Sequence, residues 1–345
     1  MNEEKLRTLD HKRELKRKKR RQKMRRRRMI FYVGVLILLF IIIQIFSAIL
    51  GSFKKDTSKE ISFNWFLDKA YRDSIGAVRT HMPNYNNFED SLNAIYDEFE
   101  FMKKELMPGE NHLVQANSYA YNTAEIRAYI RGEKKYTGKD KLVFLTFDDG
   151  PNTSITPQVL ATLKKNNVHG TFFVVGSRIT EKTYPVLRKT IYNGNAIGTH
   201  SFYHNYDILY PERVADPAKI KEETQLTLAR LQKVFGDNFH SVPWRYPGGH
   251  MSWQNTSEAD SVISAMNVEW LDWNCMTGDA EPKKTRPTTN SGIVETLDKT
   301  LNQNLHTDVA VVLMHDATNK QLSVDSLQDV IDYFKEHNYK FGILK

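Results

Sequence analysis

Apolar residues along this chain fall into three regimes. Met29 to Leu50 is a run of 22 residues without one charge, long enough at about 1.5 Å per residue to cross a hydrocarbon core of about 30 Å. Residues 51 to 139 are polar and charged with scattered aromatics. Within them Phe88, Leu92, Ile95, Phe99 and Met102 recur near the helical period, which predicts an amphipathic helix over Asn87 to Leu106. From residue 140 onward short apolar runs alternate with longer amphipathic stretches. The runs Leu142 to Phe147, Thr171 to Val175, Ala196 to Thr199, Val242 to Tyr246, Glu269 to Trp273, Val309 to Met314 and Lys340 to Leu344 read as strands. Pro157 to Lys165, Pro217 to Val234, Gly292 to Asn302 and Ser323 to His337 read as helices between them. Such alternation predicts an α/β domain of parallel strands covered by helices, and about 205 residues suffice for one buried core.

Charge divides the chain at the apolar span. Residues 1 to 28 hold 15 Lys plus Arg against 4 Asp plus Glu, a net of +11; the chain total of +8 therefore leaves 8 minus 11, or −3, for everything after them. The basic excess is local. A basic cluster before an uncharged span predicts a cytoplasmic amino terminus, an uncleaved transmembrane anchor and an extracytoplasmic remainder. A cleaved signal peptide fits less well, since its apolar region is usually about 7 to 15 residues with a small-residue cleavage site. Beside a membrane the basic tail has topogenic and anionic-lipid roles, and no nucleic-acid partner is expected. The expected organisation is a basic tail over 1–28, an anchor over 29–50, a helical stalk over 51–139 and a catalytic domain over 140–345. No internal repeat is evident, and the single cysteine, Cys275, allows no intrachain disulfide.

The chemistry concentrates in Thr146-Phe147-Asp148-Asp149-Gly150-Pro151 and His200-Ser201-Phe202-Tyr203-His204. Two histidines four apart share one face of a helical turn, so both rings can reach one ion. Asp148 and Asp149 follow a buried apolar run and fall at its carboxyl end, where α/β folds place their sites. Adjacent residues leaving a strand point in different directions, so one carboxylate can bind metal while the other faces the attacking water. His169, His240, His250 and His306 have no partner at ligand spacing and read as surface or structural residues.

At these residues the chain resembles the polysaccharide deacetylases, a carbohydrate esterase family that includes bacterial peptidoglycan N-acetylglucosamine deacetylases and chitin deacetylases. Three further blocks match in order: Arg245-Tyr246-Pro247-Gly248-Gly249, Trp273 to Asp279, and Leu313-Met314-His315. The resemblance covers about residues 140 to 345 and implies a distorted (β/α)7 barrel with an open groove for a polymer. It implies that Asp149, His200 and His204 bind a metal, usually zinc, although such ligands also suit cobalt or nickel. It implies Asp148 as general base, Arg245 as the residue orienting it, and His315 as general acid held by Asp279. Asp272 competes for that last role. Gly248, after Pro247, is the candidate for a backbone N–H that stabilises the oxyanion. Tyr246, Leu313, Tyr203 and Trp273 are expected to line the substrate site, with Tyr206 beside Tyr203 on the cleft wall. The chain departs from the family pattern at Asn205, where proline is usual, at Gly248, where tyrosine is usual, and at Asp279-Ala280, where Asp-Trp is usual; these changes bear on the sugar pocket. The function implied is metal-dependent N-deacetylation of N-acetylglucosamine in a cell-wall glycan. An O-acetyl esterase and an inactive glycan-binding module are the alternatives.

Overall fold

The computed structural model describes residues 104–345. The span expected at 29–50 and most of the amphipathic helix expected at 87–106 lie outside the described residues. Among the described residues no helix is long and apolar enough to cross a membrane.

Among the described residues ten strands run in the order β1 (Ala120–Tyr121), β2 (Lys141–Gly150), β3 (Gly170–Val174), β4 (Ala196–Thr199), β5 (Pro243–Trp244), β6 (Glu269–Trp270), β7 (Cys275–Met276), β8 (Val309–His315), β9 (Tyr339–Phe341) and β10 (Ile343–Leu344). The main sheet has the order β6-β5-β4-β3-β2-β8-β7, with β9 added beside β2, and every pairing in it is parallel. Its two edge strands, β6 and β7, are separated by only residues 271 to 274. Five Cα steps reach at most about 19 Å, whereas the edges of a flat seven-strand sheet would stand about 29 Å apart. The sheet is therefore curled into a half-barrel with helices outside.

Alternation along the strands assigns the two faces. In β2, Val143, Leu145 and Phe147 join the core shared with the helices, while Leu142 and Phe144 join a smaller cluster inside the curl. In β8, Ala310, Val312 and Met314 face the helices and Val309 and Val311 face inward. Continuing the period, the inward positions are Thr146 and Asp148 on β2 and Leu313 and His315 on β8. The register pairs Asp148 with His315. Both strands are apolar on both faces until their last inward positions, as parallel strands buried on each side require; chemistry begins where the apolar code ends.

The covering helices include Thr156–Asn166, Tyr184–Tyr192, Pro217–Phe235, Thr256–Ser264 and Asn290–Asn302. Pro217–Phe235 starts on Asp216, whose side chain accepts from the N–H groups of Ala218 and Lys219. Three sequence expectations change. The run 340–344 is two strands, because Gly342 turns the chain so that β9 pairs with β2 and β10 with β1; a Cβ there would lie within 2.9 Å of Phe144 and Tyr121. The helix expected over 323–337 is two helices, Gln321–Asp325 and Leu327–Glu336, divided at Ser326.

The third change concerns the boundary expected at residue 140. Residues 104–139 are not stalk. Leu113, Ala116 and Ile126 are buried in the core, Asn111 donates to the carbonyls of Ile197 and Leu344, and Leu106 bridges to Leu113 rather than ending a helix.

Candidate metal centre and active site

The inward ends of β2 and β8 and the loop after β4 converge on one cluster. The side-chain ligand atoms of Asp149, His200 and His204 all lie within 4.8 Å of one another. Nε2 of His204 is 3.5 Å from Oδ1 of Asp149, and Nε2 of His200 is 3.9 Å from the same oxygen. The two histidines do not share a helical turn. Residues 200 to 205 form a loop, and Ser201 and His204 take positive φ values of 57° and 54°. That loop brings the rings to a centroid separation of 4.8 Å by a route the four-residue spacing did not reveal. Buried Glu223, from the helix Pro217–Phe235, holds it by accepting the N–H groups of Phe202 and Tyr203 at 2.8 and 3.1 Å.

His200 places Nδ1 2.8 Å from the Arg245 carbonyl oxygen; an N–H there fixes the tautomer and leaves Nε2 as a lone-pair donor, the second contact that metal-binding histidines usually make. Burial pushes the pKa of both His200 and His204 down to about 4, so both rings are neutral at pH 7. Burial alone would raise the Asp149 carboxyl, but the neighbouring His200, His315 and His204 bring it below its ordinary value. Two neutral imidazoles and one ionised carboxylate are the donor set of an open divalent site. The residues present fit such an ion.

Asp148 is buried and its pKa is raised, chiefly by that burial, with the Arg245 guanidinium pulling the other way. Arg245 has no exposed surface. Its Nη1 donates to Asp148 Oδ1 at 2.9 Å and to Thr146 Oγ1 at 2.7 Å. Nε and Nη2 donate to the carbonyls of Leu271 and Asp272, and the guanidinium lies 4.1 Å over the Phe173 ring. With four of its five N–H donors engaged and one face on Phe173, the guanidinium is fixed in orientation, and so is the carboxylate it grips.

Across the register from Asp148, His315 pairs with Asp279 through Nδ1 to Oδ1 at 2.8 Å, and the His315 N–H donates to the other oxygen at 2.8 Å. Ser323 and Lys320 hold Asp279 in turn. Burial lowers the His315 pKa, but the Asp279 hydrogen bond and charge outweigh it and the net shift is upward. Asp272 is not the partner; it accepts from the backbone N–H groups of His250 and Met251 instead.

The expected substrate wall divides. Gly248 is exposed at φ 80°, and its N–H meets no acceptor among the described residues, which leaves that donor available. Tyr203 is 60% exposed within the loop that carries His200 and His204. Leu313 forms the inner floor one inward position before His315. Trp273 is half-buried, packed beneath Gly249 and 5.7 Å from the Arg245 guanidinium. Tyr246 departs from the expectation: its ring is wholly buried against Trp244, and its hydroxyl is 2.7 Å from Asp260 Oδ1. The ring is core and does not line the site. His250 stacks on Trp270 and pairs with Asp260, and Cys275 is buried, its thiol pushed up by burial; neither enters the chemistry.

Several residues of the site escaped sequence reasoning. Thr146 was legible only as the inward alternate before Asp148. Glu223 left one signal, an acidic residue at a core-facing position of an amphipathic helix whose other buried positions are Ile220, Thr224, Thr227, Leu231 and Val234. Asp316 is fully buried against Gly150, takes the Thr156 hydroxyl at 2.5 Å, and anchors the loop after Asp149.

A curled parallel sheet with Asp148, the His315–Asp279 pair and a three-residue cluster able to hold a metal at its carboxyl edge defines the class, an α/β protein with a candidate metal site. The chain belongs to the polysaccharide deacetylase family, carbohydrate esterase family 4. The family model for polysaccharide deacetylase matches residues 135–266. The structure of a Streptococcus mutans CE4 esterase superposes with a TM-score of 0.66 at 42% identity, covering 70% of this chain and 98% of that one. The Bacillus subtilis (strain 168) protein YheN is 32% identical over 209 residues, 60% of this chain and 68% of its own. The peptidoglycan-N-acetylglucosamine deacetylase PgdA of Listeria monocytogenes is 32% identical over 207 residues, 59% of this chain. The match spans only 38% of that relative's length.

Proposed function

We propose that this protein is a metal-dependent N-deacetylase that removes acetyl groups from N-acetylglucosamine residues of an extracytoplasmic cell-wall glycan, anchored in the membrane by residues 29–50. The carrying observation is the placement of Asp148 and His315 as register partners on adjacent strands, with Asp148 beside the Asp149, His200 and His204 cluster. We read the curled sheet as the family's distorted (β/α)7 barrel and its open side as the groove for the polymer. Peptidoglycan is the leading acceptor, in keeping with the name of the Listeria relative; an N-acetylglucosamine within a wall polysaccharide or its linkage to peptidoglycan fits the altered blocks at Gly248 and Ala280.

Asp149, His200 and His204 would hold the ion, zinc first among the divalent metals. A divalent ion supplies a water acidified toward a pKa of about 7 and a polarised acyl carbonyl. Asp148, oriented by Arg245, takes the water's proton as the oxygen adds to the acetamide carbon. The Gly248 N–H donates to the oxygen that becomes negative. His315, whose protonated form Asp279 favours, would give its proton to the nitrogen as the C–N bond breaks, so that acetate and a free amine leave. The product adds positive charge to the wall.

The test is acetate and free-amine release by the full chain from N-acetylated wall glycan and chito-oligosaccharides, after chelation and after zinc is restored. The expected result is equal acetate and amine, lost with the chelator and returned with zinc; Asp148→Asn should keep the metal and lose turnover. Acetate without amine would identify an O-acetyl esterase, and bound metal with no release from any glycan would leave only a binding module.

A further inference from the structure

Tyr206, expected only as part of the cleft wall, stands beside the candidate metal cluster at the start of a short helix outside the five matching blocks. Asn205 follows the ligand His204 and caps the short helix Tyr206–Leu209, its Oδ1 accepting from the N–H groups of Asp207 and Ile208. Proline at this position would remove that cap. The cap sets the direction of Tyr206, whose ring lies 5.4 Å from the His204 ring and 5.3 Å from the Trp253 ring. Trp253 is itself fixed, stacked on Tyr210 at 3.9 Å and donating its indole N–H to the Pro247 carbonyl at 2.8 Å. The Pro247-Gly248 turn, the indole and the phenol therefore form one packed unit.

Position 248 shows what this unit does. A Cβ built on Gly248 would lie 3.1 Å from Trp253 and 3.4 Å from the Tyr206 hydroxyl oxygen. The space that a side chain at 248 would use is thus already walled by two aromatics from other segments. The Tyr206 hydroxyl makes no hydrogen bond among the described residues, and the side chain is 44% exposed. It stands between the ligand His204 on one side and the free Gly248 N–H on the other, where a phenol O–H is a donor at neutral pH.

We propose that the Tyr206 hydroxyl is a second hydrogen-bond donor to the acyl oxygen of the substrate, acting beside the Gly248 N–H, and that Tyr206 and Trp253 together replace the side chain absent at position 248. The acyl oxygen gains negative charge as water adds to the carbonyl carbon. A fixed neutral donor aimed there is worth more in the tetrahedral adduct than in the bound amide. This rests on the deacetylase reading above. Two of the departures from the family pattern, Asn205 and Gly248, then belong to one packed unit: Asn205 caps the helix that carries Tyr206, and Tyr206 with Trp253 walls the space beside Gly248.

Tyr206→Phe removes the hydroxyl and keeps the ring, so the packing against His204 and Trp253 is retained. The measurement is kcat and KM of the full zinc-loaded chain with chitotetraose, with zinc content and melting temperature recorded for both proteins. The expected result is a fall in kcat of about 10- to 100-fold, toward the loss seen when one oxyanion donor is removed elsewhere, with KM within about twofold and zinc and melting temperature unchanged. A kcat within about twofold of the parent, or a rise in KM alone, overturns the assignment, because the hydroxyl would then add nothing specific to the transition state. Absence of turnover in the parent protein overturns the deacetylase reading itself and is distinct from either result.

Discussion

Replacing Arg245 with methionine isolates the buried ion pair from the rest of the site. Neither partner touches bulk solvent, with side-chain exposures of 0% for Arg245 and 3% for Asp148, so solvent screening offers no discount. Methionine fills most of the volume but leaves Asp148 without a counter-charge and Thr146 without its donor. Breaking a buried pair by removing one member costs about 3 to 5 kcal/mol, which in a domain of this size lowers the melting temperature by roughly 10 °C. In an Asp148→Asn background the buried guanidinium is itself the unpaired charge, so the same Arg245→Met change removes it and should cost less by the coupling of a contacting pair, about 0.5 to 3 kcal/mol. Urea unfolding of the parent, both single variants and the double variant supplies the cycle. Kinetics supplies an independent reading: the Arg245 charge holds the Asp148 pKa down against burial, so its loss moves the acid limb of kcat/KM toward higher pH. If the two substitutions are additive within about 0.5 kcal/mol, the guanidinium does not act through Asp148 and the orienting role is wrong.

Asp279→Asn removes the group that lifts the His315 pKa against burial, so the basic limb of kcat should move to lower pH; an unmoved limb would separate Asp279 from the acid. The sign for stability is the same. Protonated His315 stabilises the fold fully below about pH 6.5, and that contribution is lost as pH rises through the raised folded value, so the parent but not the variant should show this loss in urea midpoints between pH 5.5 and 9. Glu223→Ala should strand the buried N–H groups of Phe202 and Tyr203 at about 1 to 3 kcal/mol each and weaken zinc binding by about 10- to 100-fold. Glu223→Gln, which keeps an acceptor, should recover most of both; equal loss in the two variants would show that the charge and not the acceptor holds the loop.

Much of this site was legible before folding. The buried character of β2 and β8 follows from uninterrupted apolar runs, and Asp149 and the two histidines, singled out in the sequence, come together as a cluster that could hold a metal. Asp279 stood beside Asp272 as an equal in residue type, and the structure separates them: one carboxylate meets His315 while the other caps a backbone turn. The histidine spacing suggested a helical turn, yet a loop with two positive-φ residues delivers the same rings, because sequence distance constrains reach and not path. Tyr246 looked like a wall residue by composition and is core by position.

The amino-acid sequence alone determined the local terms: which segments are apolar at period 2 or 3.6, where caps and turns fall, and which ionisable groups are available to a metal. The tertiary structure alone decided the curl that brings β6 and β7 to opposite edges four residues apart, the burial that keeps His200 and His204 neutral, and the helix-borne Glu223 under the ligand loop. Those outcomes depend on contacts between residues far apart in the chain. A one-dimensional pattern records which side chains want to be buried, but the partner that each one meets is set only when the elements close on each other.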